Sequence, residues 1–223
     1  MRALVVGTGK MGRAVETALA ARGHEVAGRI GKDDASQAAL VADVALEFTA
    51  PGAAARRVEE LLRAGIPVVS GTTGWDVSSM NALASELGVG FLHSANFSIG
   101  VAVLKRAAAL AASAFAPFPE FEAGIVERHH SAKKDAPSGT ASVLAETIAL
   151  AGGRRPSVVS LRQGGQPGEH VVVFEGSEES VELVHRARSR GIFAAGAVRA
   201  AEWLVSSGAR GPASFDDVFE RRL

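Results

Sequence analysis

Cysteine and tyrosine are both absent from the 223-residue chain. Without cysteine there is no disulfide, no thiolate nucleophile and no sulfur ligand for a metal. Without tyrosine no phenol can donate a proton, so acid–base work falls to His, Lys, Asp or Glu. An excess of charge of either sign is lacking too: Lys+Arg and Asp+Glu each number 24. A nucleic-acid binder usually shows a basic surplus, so no nucleic-acid partner is expected. The longest apolar stretches, such as Val101–Phe115, carry Lys105 and Arg106 and fall short of a membrane span, so no membrane partner is expected. Met1 leads straight into a strand-like run with no basic-then-apolar leader, and the cytoplasm is the expected compartment. What remains is an ordinary globular composition, 47% hydrophobic and 22% charged, long enough for one large domain or two small ones.

The first half alternates short apolar runs with Ala- and Leu-rich amphipathic stretches. Arg2–Val6, Glu25–Ile30, Val44–Phe48, Pro67–Ser70 and Gly90–His93 suit buried parallel strands. Met11–Arg22, Ala53–Ala64 and Val77–Leu87 read as the helices between most of them. Such alternation predicts an α/β, doubly wound sheet with right-handed crossovers. The gap from Gly31 to Asp43 is short for a full helix and reads as a trimmed crossover. After Ala95 the pattern changes to a helix over Ile99–Phe115, a strand over Phe121–Arg128, a polar loop and a helix from about Ser138 to Ala151. Val158–Arg162, His170–Glu175 and Val181–Ala187 read as strands of an antiparallel or mixed sheet, and Ile192–Ser206 as a helix followed by a docking tail. Two domains are expected.

Gly7-Thr8-Gly9-Lys10-Met11-Gly12 places G-x-G-x-x-G between the first strand and the first helix. Backbone N–H groups at a helix N-terminus can cradle a pyrophosphate, and a Cβ at these positions would hold it away. Glycine also punctuates ordinary βα turns, but the strand–turn–helix context favours a dinucleotide. NAD-selective sites usually end the second strand on Asp or Glu; here Arg29 stands there, with Lys32 close behind. Arg29 could pair with a 2′-phosphate, which favours NADPH over NADH, or it could be a solvated surface charge. Phe48-Thr49 and Gly71-Thr72-Thr73-Gly74 end the third and fourth strands, where ligands of open α/β sheets lie. There Gly71 and Gly74 would let backbone approach a nicotinamide; a plain glycine turn with a capping threonine is the alternative.

The run Glu127-Arg128-His129-His130-Ser131-Ala132-Lys133-Lys134-Asp135-Ala136-Pro137-Ser138-Gly139-Thr140 begins at a strand end and stops at a helix start. Ser138, Gly139 and Thr140 offer hydroxyls and N–H groups suited to a carboxylate. His129, His130 and Lys133 add titratable donors and positive charge nearby. Ser138 could equally be an ordinary N-cap and Asp135 a turn residue. A His-His pair could bind metal, but no third ligand stands at a recognisable spacing, and no metal is expected.

This run resembles the signature of the 4-hydroxy-tetrahydrodipicolinate reductase (dihydrodipicolinate reductase) family: Glu-x-His-His, two residues, Lys, one residue, then Asp-Ala-Pro-Ser-Gly-Thr-Ala. Every fixed position is kept. The resemblance extends through Met11-Gly12, Phe48-Thr49, Gly71-Thr72-Thr73-Gly74, Asn96-Phe97-Ser98-Ile99-Gly100-Val101, Gly168-Glu169-His170, Ser189-Arg190 and Phe193-Ala194-x-Gly196-Ala197. It implies reduction of 4-hydroxy-tetrahydrodipicolinate to tetrahydrodipicolinate by NADPH or NADH, in lysine biosynthesis through diaminopimelate. It implies that His129 lies near the reacting carbon and that Lys133 donates the proton. His130, Lys133, Gly139 and Thr140 match the residues holding the substrate carboxylates; Gly7 to Gly12, Gly71 to Thr73, and Ser94, Ala95, Asn96 and Phe97 match cofactor contacts. The implied architecture is a Rossmann dinucleotide-binding domain over 1–97 and 193–223, with an α+β domain over 98–192 that binds the cyclic dicarboxylate and builds a homotetramer. The chain departs from the family in its short link between the second and third strands, its glycine loop one residue shorter, and its missing acidic residue after the second strand. These touch the adenosine end rather than the reaction. Two competing readings are another small NAD(P)-dependent dehydrogenase and a dinucleotide-binding regulator without turnover.

Overall fold

The computed structural model describes residues 1–31 and 41–220; Lys32, Asp33 and Asp34 therefore lie outside the described residues. The chain forms two compact units, one of Met1–Phe97 with the segment from Gly191 onward, the other Ser98–Arg190.

The first unit holds β1 (Arg2–Val6), α1 (Lys10–Ala21), β2 (Glu25–Ile30), β3 (Val44–Glu47), α2 (Pro51–Arg63), β4 (Val68–Ser70), α3 (Ser78–Leu87) and β5 (Phe91–His93). After the second unit the chain returns as α6 (Gly191–Ser207), β10 (Pro212–Ala213) and a 3₁₀ turn over Phe215–Phe219. The strands form one parallel sheet in the order β10-β5-β4-β3-β1-β2. The central strands are buried on both faces, which explains their unbroken apolar runs. α2 and α3 bring Val58, Leu61, Leu62, Met80 and Leu83 onto one face, against Leu4, Val6, Ala45, Val68 and Phe91. Each such side chain taken from water contributes roughly 1.5–3 kcal/mol. α2 follows its sequence closely: Pro51 stands in its first turn, and Arg56–Glu60 and Arg63–Glu59 pair at i,i+4 on its outer face.

The chain leaves β1 for β2 on one side and reaches β3 on the other, so the carboxyl ends of β1 and β3 flank a topological switch point. The glycine turn grows out of that point. The expected docking tail is more structured than a tail: β10 adds a sixth strand beside β5, and Phe215 packs edge-on against Phe97 at 5.1 Å.

The second unit comprises α4 (Ile99–Phe115), β6 (Glu122–His129), α5 (Gly139–Gly152), β7 (Ser157–Arg162), β8 (Glu169–Glu175) and β9 (Ser180–Arg186). Its sheet runs β7-β6-β8-β9, with β6 parallel to β7 and antiparallel to β8. α4 and α5 cover one face through Leu104, Ala108, Ala112, Leu144, Ala145 and Ile148, packed with Ile125, Val172 and Phe174. Val159, Leu161, Val181 and Val184 remain exposed. Ser98 and Ser138 cap α4 and α5, each hydroxyl accepting from the amide three residues on at 3.2 Å.

Candidate active site

In the first unit, the three glycines of the turn do three different things. Gly7 has φ +103°, and a Cβ there would lie 2.2 Å from the Phe48 carbonyl oxygen. A Cβ on Gly12 would lie 1.8 Å from the Gly7 carbonyl oxygen, so this glycine lets α1 sit against β1. Gly9 meets nothing within 4 Å and is exposed, as are Thr8 and Lys10. A tight turn, close helix–strand packing and an open space before the first amides of α1 are what a dinucleotide pyrophosphate requires. The residues present fit that group.

Beside the turn, the carboxylate of Glu47 is fully buried at the end of β3. It accepts from Ser70 Oγ at 2.6 Å, Thr72 Oγ1 at 2.7 Å and the Thr49 amide at 2.8 Å. These bonds tie together the loops after β3 and β4, where Phe48, Thr49, Thr72 and Thr73 stand. At Gly71 packing by itself demands glycine: the Phe48 ring fills the space, 2.1 Å from where a Cβ would lie. The next strand end is closed by Ser94, whose hydroxyl bonds the Asn96 carbonyl at 2.9 Å, and by Phe97, edge-on to Phe48 at 6.1 Å. Arg29 projects from β2 but is held by Glu16 of α1 through two bonds of 2.8 and 3.1 Å.

In the second unit, alternation along β6 puts Glu127 and His129 on one face of the strand. Glu127 is fully buried. One of its oxygens faces His129 Nδ1; the other accepts from Arg162 at 2.6 Å and from the Ser138 amide at 3.3 Å. Burial alone would raise this carboxyl, but its bonds to Arg162, Ser160 and His129 outweigh that and hold it at about 2. His129 is pushed below its usual value, chiefly by burial, with the charges of Lys133 and Arg162 acting the same way against Glu127. The Lys133 amide bonds the His130 carbonyl at 3.1 Å, turning the loop just past β6. Lys133 Nζ lies 2.8 Å from Asp135, whose carboxyl is held below its usual value chiefly by that contact, with a smaller contribution from the Gly139 backbone at the start of α5. Asp135 is thus more than a turn residue.

Two family models cover almost the whole chain: "Dihydrodipicolinate reductase, N-terminus" over residues 1–97 and "Dihydrodipicolinate reductase, C-terminus" over 100–219. The chain belongs to the dihydrodipicolinate reductase family. The 4-hydroxy-tetrahydrodipicolinate reductase of Xanthomonas euvesicatoria pv. vesicatoria (strain 85-10) is 44% identical over 164 residues, covering 73% of this chain and 67% of that protein. That of Xanthomonas campestris pv. campestris (strain B100) is 43% identical over the same span. Among solved structures, the dipicolinate-bound dihydrodipicolinate reductase from Paenisporosarcina sp. TG-14 matches with a TM-score of 0.83 over 96% of this chain and 97% of that one. At 22% identity that match speaks for the fold. Curated members of the dihydrodipicolinate reductase family are NAD(P)H-dependent oxidoreductases, and the family reaction is a reduction in lysine biosynthesis through diaminopimelate.

Within this member of the dihydrodipicolinate reductase family, the second unit gathers His129, Lys133, Ser138, Gly139 and their surroundings, and the first gathers Gly7 to Gly12 with Phe48, Thr49 and Thr72. Sequence reading missed Glu47, Glu127 and Arg162 as site residues. The alternation of β6 could have pointed to Glu127. It also missed a row across the sheet, where the buried Glu127 and His170 and the partly buried His185 stand opposite one another in register. His170 Nε2 lies 3.2 Å from Ser138 Oγ, and His185 Nε2 lies 3.4 Å from Ser98 Oγ. Glu127, His129 and His170 offer three ligand atoms within 4.8 Å of one another. Their chemistry suits hydrogen bonding better than a cation, since both Glu127 oxygens are engaged and Arg162 sits on one of them.

The row also sets an acid sensitivity. His170 is pushed down to about 4 by burial first, then by His129, His185 and Lys133, with Glu127 opposing. An unfolded histidine takes its proton near 6.5, so between those values the unfolded state binds more protons. Stability from this group is therefore complete above about pH 6.5 and lost as pH falls towards about 4, by up to roughly 3 kcal/mol. Thermal unfolding followed from pH 7 to pH 4.5 should show Tm falling more steeply for wild type than for His170→Asn. Equal slopes would show that another group dominates.

Proposed function

We propose that this chain reduces 4-hydroxy-tetrahydrodipicolinate, or its dehydrated form, to tetrahydrodipicolinate, and that the two units divide the work. The first unit holds NADPH or NADH through Gly7, Thr8, Gly9, Lys10, Met11 and Gly12, with Phe48, Thr49, Thr72, Thr73 and the Ser94–Phe97 segment shaping the nicotinamide end. The coenzyme supplies the hydride. The second unit holds the cyclic dicarboxylate through His130, Lys133, Ser138, Gly139 and Thr140, and Lys133 delivers the proton beside His129.

One observation carries the substrate reading. The chain's own Asp135 carboxylate already pairs with the Lys133 ammonium at 2.8 Å, and first that contact, then the backbone at the start of α5, favours its charged form. A carboxylate is held there by charge and by the first turn of a helix, and a substrate carboxylate makes the same contacts by exchange. Absence of tyrosine and cysteine leaves Lys133 and the histidines as the donors at hand.

The coenzyme is proposed to be NADPH by preference, supported by Arg29 where an acidic residue would select NAD. Glu16 must yield Arg29 to a 2′-phosphate, so the preference is modest. The proposed compartment is the cytoplasm, and among the described residues no helix is long and apolar enough to cross a membrane. The exposed Val159, Leu161, Val181 and Val184 support assembly into a homotetramer through the open sheet face.

Initial rates with each coenzyme at matched concentration, with substrate generated in situ, test the reading. Both coenzymes should be oxidised only when substrate is present, NADPH with the higher kcat/KM, and Arg29→Ala should narrow the difference. No substrate-dependent oxidation would defeat the function. A preference for NADH that Arg29→Ala leaves unchanged would defeat the coenzyme assignment alone.

A further inference from the structure

Glu127 makes contacts that constrain where the proton of His129 can be. Its carboxylate is fully buried, and each oxygen has a settled partner. Oε1 accepts from Arg162 Nη2 at 2.6 Å and from the Ser138 amide at 3.3 Å; both groups can only donate. Oε2 faces His129 Nδ1. A carboxylate can only accept, so the nitrogen opposite Oε2 must carry the hydrogen. A proton on Nε2 instead would leave two acceptors pressed together in a buried site, which costs far more than a hydrogen bond contributes.

We propose that Glu127 is a positioning residue for the reduction: it holds the His129 proton on Nδ1 and leaves Nε2, with its lone pair, as the nitrogen available to the reaction. The inference rests on the reaction proposed above and adds a role that His129 and Lys133 alone do not explain. Two further features agree. A Cβ at Gly168 would come within 2.9 Å of His129 Nε2, so glycine there keeps the space beside that nitrogen clear. Arg162 also reaches the Asp135 carbonyl, linking the buried carboxylate to the loop that carries Lys133. A carboxylate–imidazole pair of this kind fixes both ring orientation and tautomer.

The geometry makes Glu127→Gln a tautomer switch. Arg162 and the Ser138 amide both need an acceptor, so the Gln oxygen turns to them and its NH₂ faces His129 Nδ1. That nitrogen must then accept, and the ring proton moves to Nε2. Nitrogen-15 NMR of the histidines near neutral pH should show His129 as the Nδ1–H tautomer in wild type and Nε2–H in Glu127→Gln. With that change kcat should fall by roughly a hundredfold or more, while coenzyme affinity stays near wild type and substrate KM changes little. Glu127→Asp keeps an acceptor and should retain the Nδ1–H tautomer with part of the lost kcat recovered. A wild-type His129 carrying its proton on Nε2 would overturn the proposal, and so would a Glu127→Gln enzyme with switched tautomer and kcat within threefold of normal. If wild type fails to oxidise coenzyme with the dicarboxylate, the functional reading falls, and the NMR comparison alone decides the role of Glu127.

Discussion

Lys133→Ala should lower kcat/KM by about three orders of magnitude or more, the sum of a lost proton donor and a lost charge on a dianion. Proton delivery by a positioned group contributes roughly 10²–10⁴ in rate, and the ammonium also attracts the substrate. Both kcat and KM should therefore move, kcat down and KM up. Lys133→Arg should recover KM better than kcat, because the guanidinium keeps the charge but does not release its proton in this range. His129→Ala should behave differently, losing about 10²-fold in kcat with KM little changed, since its proposed place is at the reacting carbon rather than on a carboxylate. Steady-state rates with substrate generated in situ separate these patterns. If both alanine variants keep near-normal kcat, the assignment of roles is wrong, although membership of the family stands. Asp135 supplies an internal comparison: it pairs with Lys133 at 2.8 Å, so Lys133→Ala also frees a carboxylate beside the start of α5. Part of any rise in KM therefore reflects repulsion, which the double variant Lys133→Ala/Asp135→Asn would relieve.

Much of the architecture was legible because local signals agreed. The helix predicted over Ile99–Phe115 appears with those bounds, as Ser98 caps its start and the proline-rich Ala116–Pro119 stretch follows its end. The strands of the second unit fall within about a residue of expectation because turn residues bracket each apolar run. The parallel strands of the first unit read as unbroken apolar runs because both their faces are covered. What could not be read was register. Nothing local places Glu127, His170 and His185 opposite one another, because that depends on how β6, β8 and β9 slide past one another. Arg162 looked like the end of an ordinary strand; its partner Glu127 lies 35 positions away, across a β6–β7 pairing that only the fold creates. Glu47 hid for another reason. A carboxylate that ends a buried strand looks like a surface charge until Ser70, Thr72 and Thr49 converge on it. The metal question depended on register too: spacing gave His129 and His130 without a third ligand, whereas the sheet gathers Glu127 and His170 around His129, with Glu127 already engaged by hydrogen bonds.

Alanine at Gly12 should cost both stability and coenzyme binding, and alanine at Gly9 binding alone. A Cβ at Gly12 would stand 1.8 Å from the Gly7 carbonyl oxygen, backbone against backbone, with no flexible side chain to give way. α1 must then lift from β1, and overpacking of this severity costs about 3 kcal/mol or more. Gly12→Ala should therefore lose several degrees of Tm, and coenzyme binding with it. Gly7→Ala should do the same, because φ +103° is strained for alanine and the Phe48 carbonyl oxygen lies 2.2 Å from the new atom. At Gly9 nothing lies within 4 Å, so alanine should leave Tm unchanged. Yet the methyl group would occupy the place where a pyrophosphate approaches the amides of α1, and coenzyme affinity should fall by roughly tenfold to a hundredfold, or about 1.4–2.8 kcal/mol. Thermal unfolding without coenzyme, paired with coenzyme titration, reads the two effects separately. A Gly9→Ala protein that binds coenzyme like wild type would put the pyrophosphate elsewhere, whereas a fully stable Gly12→Ala would show that α1 is not held against the turn. Only a cradle that is packed at one glycine and empty at the next gives intact folding with lost binding in one variant and both losses in the other.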